Sequence, residues 1–338
     1  MPVDLIHRLD ELLLRGVGGY RNRQDFIRDA VEALVLEFSY APAPEEPTPR
    51  QGAPTPSDLP SEAQRTLPGA RPSPEVHVHD DPGSLDFSRL PLVPDVKVVE
   101  VPGAVVVDEP LFGLHNRDYP SLWLASRLAQ ATRSLLVDDE NFMAQALKEA
   151  WLLGEKLQAL EQRTGTRLSS LFPTNRQKAG RAEETFRTFA FGQVIRSNTA
   201  LHVSGPLFTW RIAQIQAMDS LIGLTPQGLR LMAKLAGLSA MTPHDQTHAE
   251  AFLAHLRDHA PADWWGFETV LREVRNAATR LGLLQRFRAE KPQWTEAQVS
   301  TNVSGYVARA REWGLLESKQ SEGKYLLTKF GGSFVGAA

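Results

Sequence analysis

The chain has 338 residues, a formal net charge of −3, 42% hydrophobic residues and no cysteine. That length suits two or three domains with a buried core, and the missing cysteine excludes disulfides and thiolate-ligated metals. No charged n-region leads into an apolar run, and no apolar stretch reaches the roughly 18 residues of a membrane span, so no membrane partner and a cytoplasmic location are expected.

Residues 1–40 read as two short amphipathic helices. Leu5, Ile6, Leu9, Leu12 and Leu13 repeat at helical spacing, Gly16-Val17-Gly18-Gly19 interrupts them, and Asn22 can cap a second run through Phe26, Ile27, Ala30, Val31, Leu34 and Val35. Two such helices cannot bury their apolar faces alone, so this module is expected to form a homodimer. The strings Leu9-Asp10-Glu11-Leu12 and Gly19-Tyr20-Arg21-Asn22-Arg23-Gln24-Asp25-Phe26-Ile27-Arg28-Asp29-Ala30-Val31 resemble the ribbon-helix-helix family over about 35 residues. The resemblance implies that Arg21, Asn22 and Arg23, at the start of the second helix, meet a DNA phosphate, as helix N-terminal amides favour in any case. The family's base-reading strand precedes its first helix. Here Pro2 matches the proline that commonly follows it, so either the strand lies before Met1 or the module keeps the dimer without the ribbon.

Residues 41–94 hold thirteen of the 23 prolines and eight acidic against four basic residues up to Leu92. Such a segment can neither propagate a helix nor bury enough apolar surface, and it reads as a disordered Pro-rich linker. Residues 95–260 are expected to form a mainly α domain. It opens with a hairpin or edge strands in Val96–Val107, divided at Pro102-Gly103. Helices follow over Pro120–Leu136, Glu140–Thr164, Ala182–Ile195, Leu207–Ile222, Pro226–Ala236 and Pro243–His259, with another over Trp264–Leu281.

The last part, residues 261–338, is more basic, with eleven basic against eight acidic residues from Ala262 on. Thr295-Glu296-Ala297-Gln298 has the form of a capping box. Val299, Val303, Tyr306, Val307 and Ala310 line one side of the helix that follows, and Gly314 stops it. Two strands, Leu315–Lys319 and Lys324–Thr328, flank the turn Gln320–Gly323. This order, and the ending Leu327-Thr328-Lys329-Phe330-Gly331, resemble the winged-helix family over roughly Ala262–Gly331. The resemblance implies that Ser300, Thr301, Asn302, Ser304, Arg309 and Arg311 face a DNA groove, with Lys319 and Lys324 flanking the wing for phosphate. Ala278–Leu284 also echoes Ala310–Leu316, either as two ordinary helix stops or as a tandem pair of winged helices.

Other patterns carry less. His244, His248, His255 and His259 share an arc of one helix, but the two pairs lie about 16 Å apart along its axis and the general-base glutamate of His-Glu-x-x-His is missing. A boundary face is expected there, with no metal and no cofactor. His77-Val78-His79-Asp80-Asp81 lies in the linker without a scaffold. His115-Asn116-Arg117-Asp118-Tyr119 reads as a capping loop before a helix or, alternatively, as a ligand-binding loop. Arg163, Arg167, Arg176, Lys178, Arg181 and Arg187 read as a solvated basic face or a phosphate-facing patch. The sequence offers no phosphate-cradling glycine loop and no nucleophile elbow, so catalysis is not expected. The expected function is DNA binding by a dimeric, nucleoid-associated transcriptional regulator. A plasmid or chromosome partition or replication-initiation protein and a protein–protein scaffold are the alternatives.

Overall fold

The computed structural model describes residues 88–94, 98–99, 104–113, 115–132, 136–196, 200–216 and 220–336. The chain divides into Met1–Ser84 and Leu85–Ala338. The expectations for residues 1–40, including Arg21, Asn22 and Arg23, and for the linker up to residue 87 lie outside the described residues.

The second unit is mainly helical with two three-stranded sheets. Its described elements are β1 (Val105–Val106), α1 (Tyr119–Ala131), β2 (Val137–Asp138), α2 (Asp139–Thr164), α3 (Ala179–Phe186), β3 (Gln193–Arg196), β4 (Leu201–Ser204), α4 (Pro206–Thr209), β5 (Ala213–Ile215) and β6 (Leu221–Leu224). Then come α5 (Pro226–Lys234), α6 (Gln246–His259), α7 (Pro261–Arg275), α8 (Arg280–Glu290), α9 (Glu296–Glu312) and α10 (Lys329–Gly336). One sheet has the order β1-β4-β3, with β1 parallel to β4 and Val105 opposite His202. The other, β2-β6-β5, is antiparallel throughout. No helix among the described residues is long and apolar enough to cross a membrane.

Local chemistry accounts for most boundaries. Asp138 caps α2 by accepting from the Asn141 amide at 2.9 Å, Asp139 and Glu140 favour its positive end, and Gly165 at φ 67° closes it. Thr225 caps α5 through the Gly228 amide. Asp245 caps α6, which therefore starts at Gln246 rather than at Pro243.

Several elements differ from expectation: the helix expected over Pro120–Leu136 ends at Ala131, and the strands expected at Leu315–Lys319 and Lys324–Thr328 are reduced to isolated bridges. The helix expected over Ala182–Ile195 ends in a π turn at Arg187–Phe191. There Gly192, at φ 125°, turns the chain into β3, where Val194 and Ile195 take the extended conformation their branching favours. The helix expected over Leu207–Ile222 is one turn, α4, followed by the β5–β6 hairpin. A short apolar run rich in isoleucine fits either periodicity, and sheet pairing decides it. The helix expected to reach Leu281 stops at Arg275. Ala277 lies at φ 59°, and Thr279 starts α8 by accepting from the Gly282 amide. Gly282 therefore sits inside a helix, whereas Gly314, at φ 67°, is a helix stop, so the two halves of the sequence echo are different structures. Finally, Ser88–Leu90, expected within the linker, is tied to the body: Leu90 is 3% exposed, and its amide donates to the Leu238 carbonyl at 2.8 Å.

The core runs through the whole second unit, from Trp123 and Leu128 in α1 through Trp210 and Phe252 to Phe267, Tyr306 and Trp313. The boundary expected between residues 260 and 261 falls inside that unit. Burying each of these large side chains contributes about 1.5–3 kcal/mol.

Candidate nucleic-acid interface

From Pro261 on, the chain runs through helix, bridge, helix, helix and hairpin. Phe267, Val270 and Val274 of α7, Leu283 and Phe287 of α8, and Val299, Val303, Tyr306 and Ala310 of α9 supply the apolar side of this group. Between α7 and α8, Thr279 bridges to Lys324 and the Ala278 carbonyl accepts from the Tyr325 amide. Leu316 pairs with Leu327 across the hairpin, so isolated bridges rather than strands join its two limbs and the stretch before α8. The capping box at the head of α9 is complete: Thr295 accepts from the Gln298 amide, and the Gln298 side chain accepts from the Thr295 amide at 2.8 Å. Gly266 has no side chain because a Cβ there would lie 2.1 Å from the Tyr306 ring.

The residues expected to face a groove divide between two sides of α9. Ser300, Ser304 and Arg311 lie on an outward strip with Ala297 and Ala308. Arg280, at the start of α8, donates to Ser300 Oγ at 2.9 Å and to Ser304 Oγ at 3.0 Å. Arg311 donates to the Glu317 carbonyl at 3.1 Å and lies over the Tyr325 ring. Lys319 and Lys324 are exposed on the hairpin. Ser300 and Ser304 are thus linked through Arg280 and Thr279 to Lys324, and Tyr325 to Arg311. Sequence reasoning does not single out Arg280. Its only local signal is the Thr279-Arg280-Leu281-Gly282 helix start, which reads equally well as a helix stop.

The other side of α9 faces inward, and this corrects two expected groove residues. Arg309 is 1% exposed and Asn302 3%. Asn302 donates to the Gln298 carbonyl of its own helix. Thr301 is half-buried where residues 111–113 cross the helix. A Cβ on Gly113 would lie 2.0 Å from the Thr301 carbonyl oxygen, and one on Gly305 would lie 2.5 Å from the Gly113 carbonyl oxygen.

Arg309 belongs to a buried polar network that joins α9 to α1 and α7. Its Nε donates to Asp118 Oδ1 at 2.6 Å, and its two terminal nitrogens donate to the Asp263 carboxylate at 2.9 and 2.6 Å. Asp263 also accepts from Tyr306 Oη at 2.6 Å and Trp210 Nε1 at 2.8 Å, and Asp118 accepts from Trp313 Nε1 at 2.7 Å. Burial alone would raise the Asp263 carboxyl. The Arg309 charge and the hydrogen bonds from Arg309, Tyr306 and Trp210 outweigh it and hold the group at about 2. Burial would likewise lower Arg309, but Asp118 and Asp263 raise it above its ordinary value.

Glu312 forms the second half of the network. It accepts from the Asp118 amide at 2.6 Å and the Tyr119 amide at 3.2 Å, the first donors of α1, whose own N-cap side chain does not serve them. Arg117 Nε donates to it at 3.0 Å, and His244 Nε2 lies 3.2 Å away. Burial pushes this carboxyl up, but the Arg117 charge and His244 hold it at about 2. Arg117 also donates to the carbonyls of Leu168 and Ala240. His115 places Nε2 2.9 Å from Asp118 and Nδ1 2.7 Å from the Phe189 carbonyl. The loop His115–Tyr119 is therefore committed to internal partners.

The four histidines share no site. His244 lies before the start of α6 and meets Glu312, while His248 Nε2 lies 3.2 Å from the Ala236 carbonyl. His255 Nε2 approaches the Trp210 carbonyl at 2.7 Å, with its ring 4.8 Å from that of His259. Burial pushes His255 down to about 4, despite the Trp210 carbonyl. Among the described residues no three histidine or acidic side chains are grouped to hold a metal ion. No family model, curated protein or solved structure matches the chain.

Proposed function

We propose that this chain binds duplex DNA as a dimeric transcriptional regulator in the cytoplasm, with residues 261–336 acting as a winged helix. The observation that supports the reading is the connectivity: helix, bridge, helix, helix and hairpin, with Arg280, Arg311, Lys319 and Lys324 beside the outward strip of α9. In this reading those four cations meet phosphates, and Ser300 and Ser304 approach the groove once Arg280 turns to the backbone. With Arg309 and Asn302 inside the protein, α9 has few base readers left. Its contribution is then mainly electrostatic, and residues 1–40, expected to form a helical pair, would supply the dimer.

Anisotropy titrations of a labelled duplex over a range of salt test the reading. Affinity should fall linearly on a log–log plot, and R280Q/K319Q/K324Q should flatten the slope by about 0.9 for each phosphate that is no longer neutralised. A protein that binds no duplex at low salt would refute it.

The enclosed inward side of α9 favours one competing reading, a scaffold whose hairpin binds another protein. Partner capture that survives charge reversal at Lys319 and Lys324, in a chain without duplex affinity, would establish that reading instead.

A further inference from the structure

We propose a second DNA-binding surface in the helical body, formed by Arg163, Arg167, Lys178, Arg181 and Arg187. It rests on the reading of the chain as a DNA-binding protein and adds a surface that the winged helix does not include.

These cations lie at the end of α2 and on the segment and helix that return along it. Gly165 ends α2, and the chain then doubles back along it. Glu161 accepts from the Leu168 and Ser169 amides, and a Cβ on Gly154 would lie 2.5 Å from the Pro173 carbonyl oxygen. Arg176 stacks over Trp151 at 4.2 Å, and Glu183 of α3 accepts from Trp151 Nε1 at 2.9 Å. The returning segment thus runs along the second half of α2, and α3 is pinned at Trp151, twelve residues or about 18 Å before Arg163 at 1.5 Å rise. Arg163 lies eight residues beyond Glu155, about 12 Å along the helix at 1.5 Å rise. That length covers several phosphates at about 3.4 Å per step of one strand.

The carboxylates of the same stretch are occupied. Glu155 pairs with Arg176 at 2.7 Å, Glu161 serves the two backbone amides, and Glu183 serves the indole. Arg163, Arg167, Lys178, Arg181 and Arg187 are all exposed, and among the described residues none is paired with a carboxylate. Glu155 and Glu184 are the acidic side chains left exposed beside them, the first paired with Arg176. A solvated face built only for solubility would interleave both signs. Here two backbone amides, an indole and Arg176 occupy three of the four carboxylates, and the five cations are left outward. Four of the five are arginines, whose planar fork matches phosphate oxygens.

The test uses the full chain and a random-sequence duplex of about 40 base pairs, titrated over a salt series. R163Q/R167Q/K178Q/R181Q/R187Q should flatten the log–log slope by about two or more, at about 0.9 per phosphate released. It should also weaken binding at least tenfold at low salt. R163K/R167K/R181K/R187K, which keeps every charge, should hold the parent slope. Each single glutamine variant gives a smaller loss of the same sign, so a folding defect in the fivefold variant does not decide the matter. Parent-like slope and affinity in the glutamine variants, while R280Q/K319Q/K324Q loses both, would overturn the second surface and leave the winged-helix reading standing. A parent chain without duplex affinity would overturn both.

Discussion

The two sides of α9 carry similar residues and meet opposite fates. Inward, Asn302, Arg309 and Glu312 are enclosed, and the two charged groups are matched to Asp118, Asp263, Arg117 and His244. Outward, Ser304 is exposed and Ser300 and Arg311 are half-buried beside Arg280 and the hairpin. A polar residue on an amphipathic helix is therefore no guide to the solvent side when the body can supply a counter-charge. A buried ion pair adds little net stability over a hydrophobic replacement, yet removing one partner strands the other.

The sharpest way to break this comparison is Arg309→Met set against Arg311→Met. The first leaves two buried carboxylates uncompensated and should cost about 3–5 kcal/mol in denaturant unfolding. The second should stay within about 0.5 kcal/mol, as surface changes do. Equal losses would mean that the two sides are not distinct.

Acid provides the next largest effect. His255 is held at about 4 in the folded chain against 6.5 when free, so the unfolded chain takes up its proton first as pH falls. Its contribution is complete above 6.5 and is lost on the way to about 4, amounting to about 3 kcal/mol. Asp263 and Glu312, held at about 2, keep their contribution above the ordinary carboxyl range near 4 and lose it as pH falls through about 2. Unfolding midpoints measured from about pH 7 to 4 should thus fall in the parent and stay flatter in His255→Gln. The smallest effect is at the outward end of α9. Thr295→Ala removes one half of the capping box and should cost about 1 kcal/mol, with the inward network untouched. A loss of several kcal/mol would show that the cap and the network act together.

What can be read from the sequence is what is decided locally. The capping box, the apolar side of α9, the stop at Gly314 and the hairpin turn all follow from residues within a few positions of one another. The α7–α8 break escapes such a reading because Asn276-Ala277 turns the chain without glycine or proline. The β5–β6 hairpin escapes it because its isoleucines suit two periods. Arg309 is misplaced by it because the Asp118 partner lies 191 residues away, and no pattern inside α9 announces a carboxylate from another helix.

Glu312 also sets an order in time. The amide of Asp118 and the carboxylate that receives it are separated by 194 residues. At about 5–20 residues per second of synthesis, that interval is about 10–40 seconds. Through it the beginning of α1 lacks the acceptor that Glu312 provides. The start of α1 is therefore completed only after residue 312 has been made, and a chain cut short before that point lacks the group that receives its first amides.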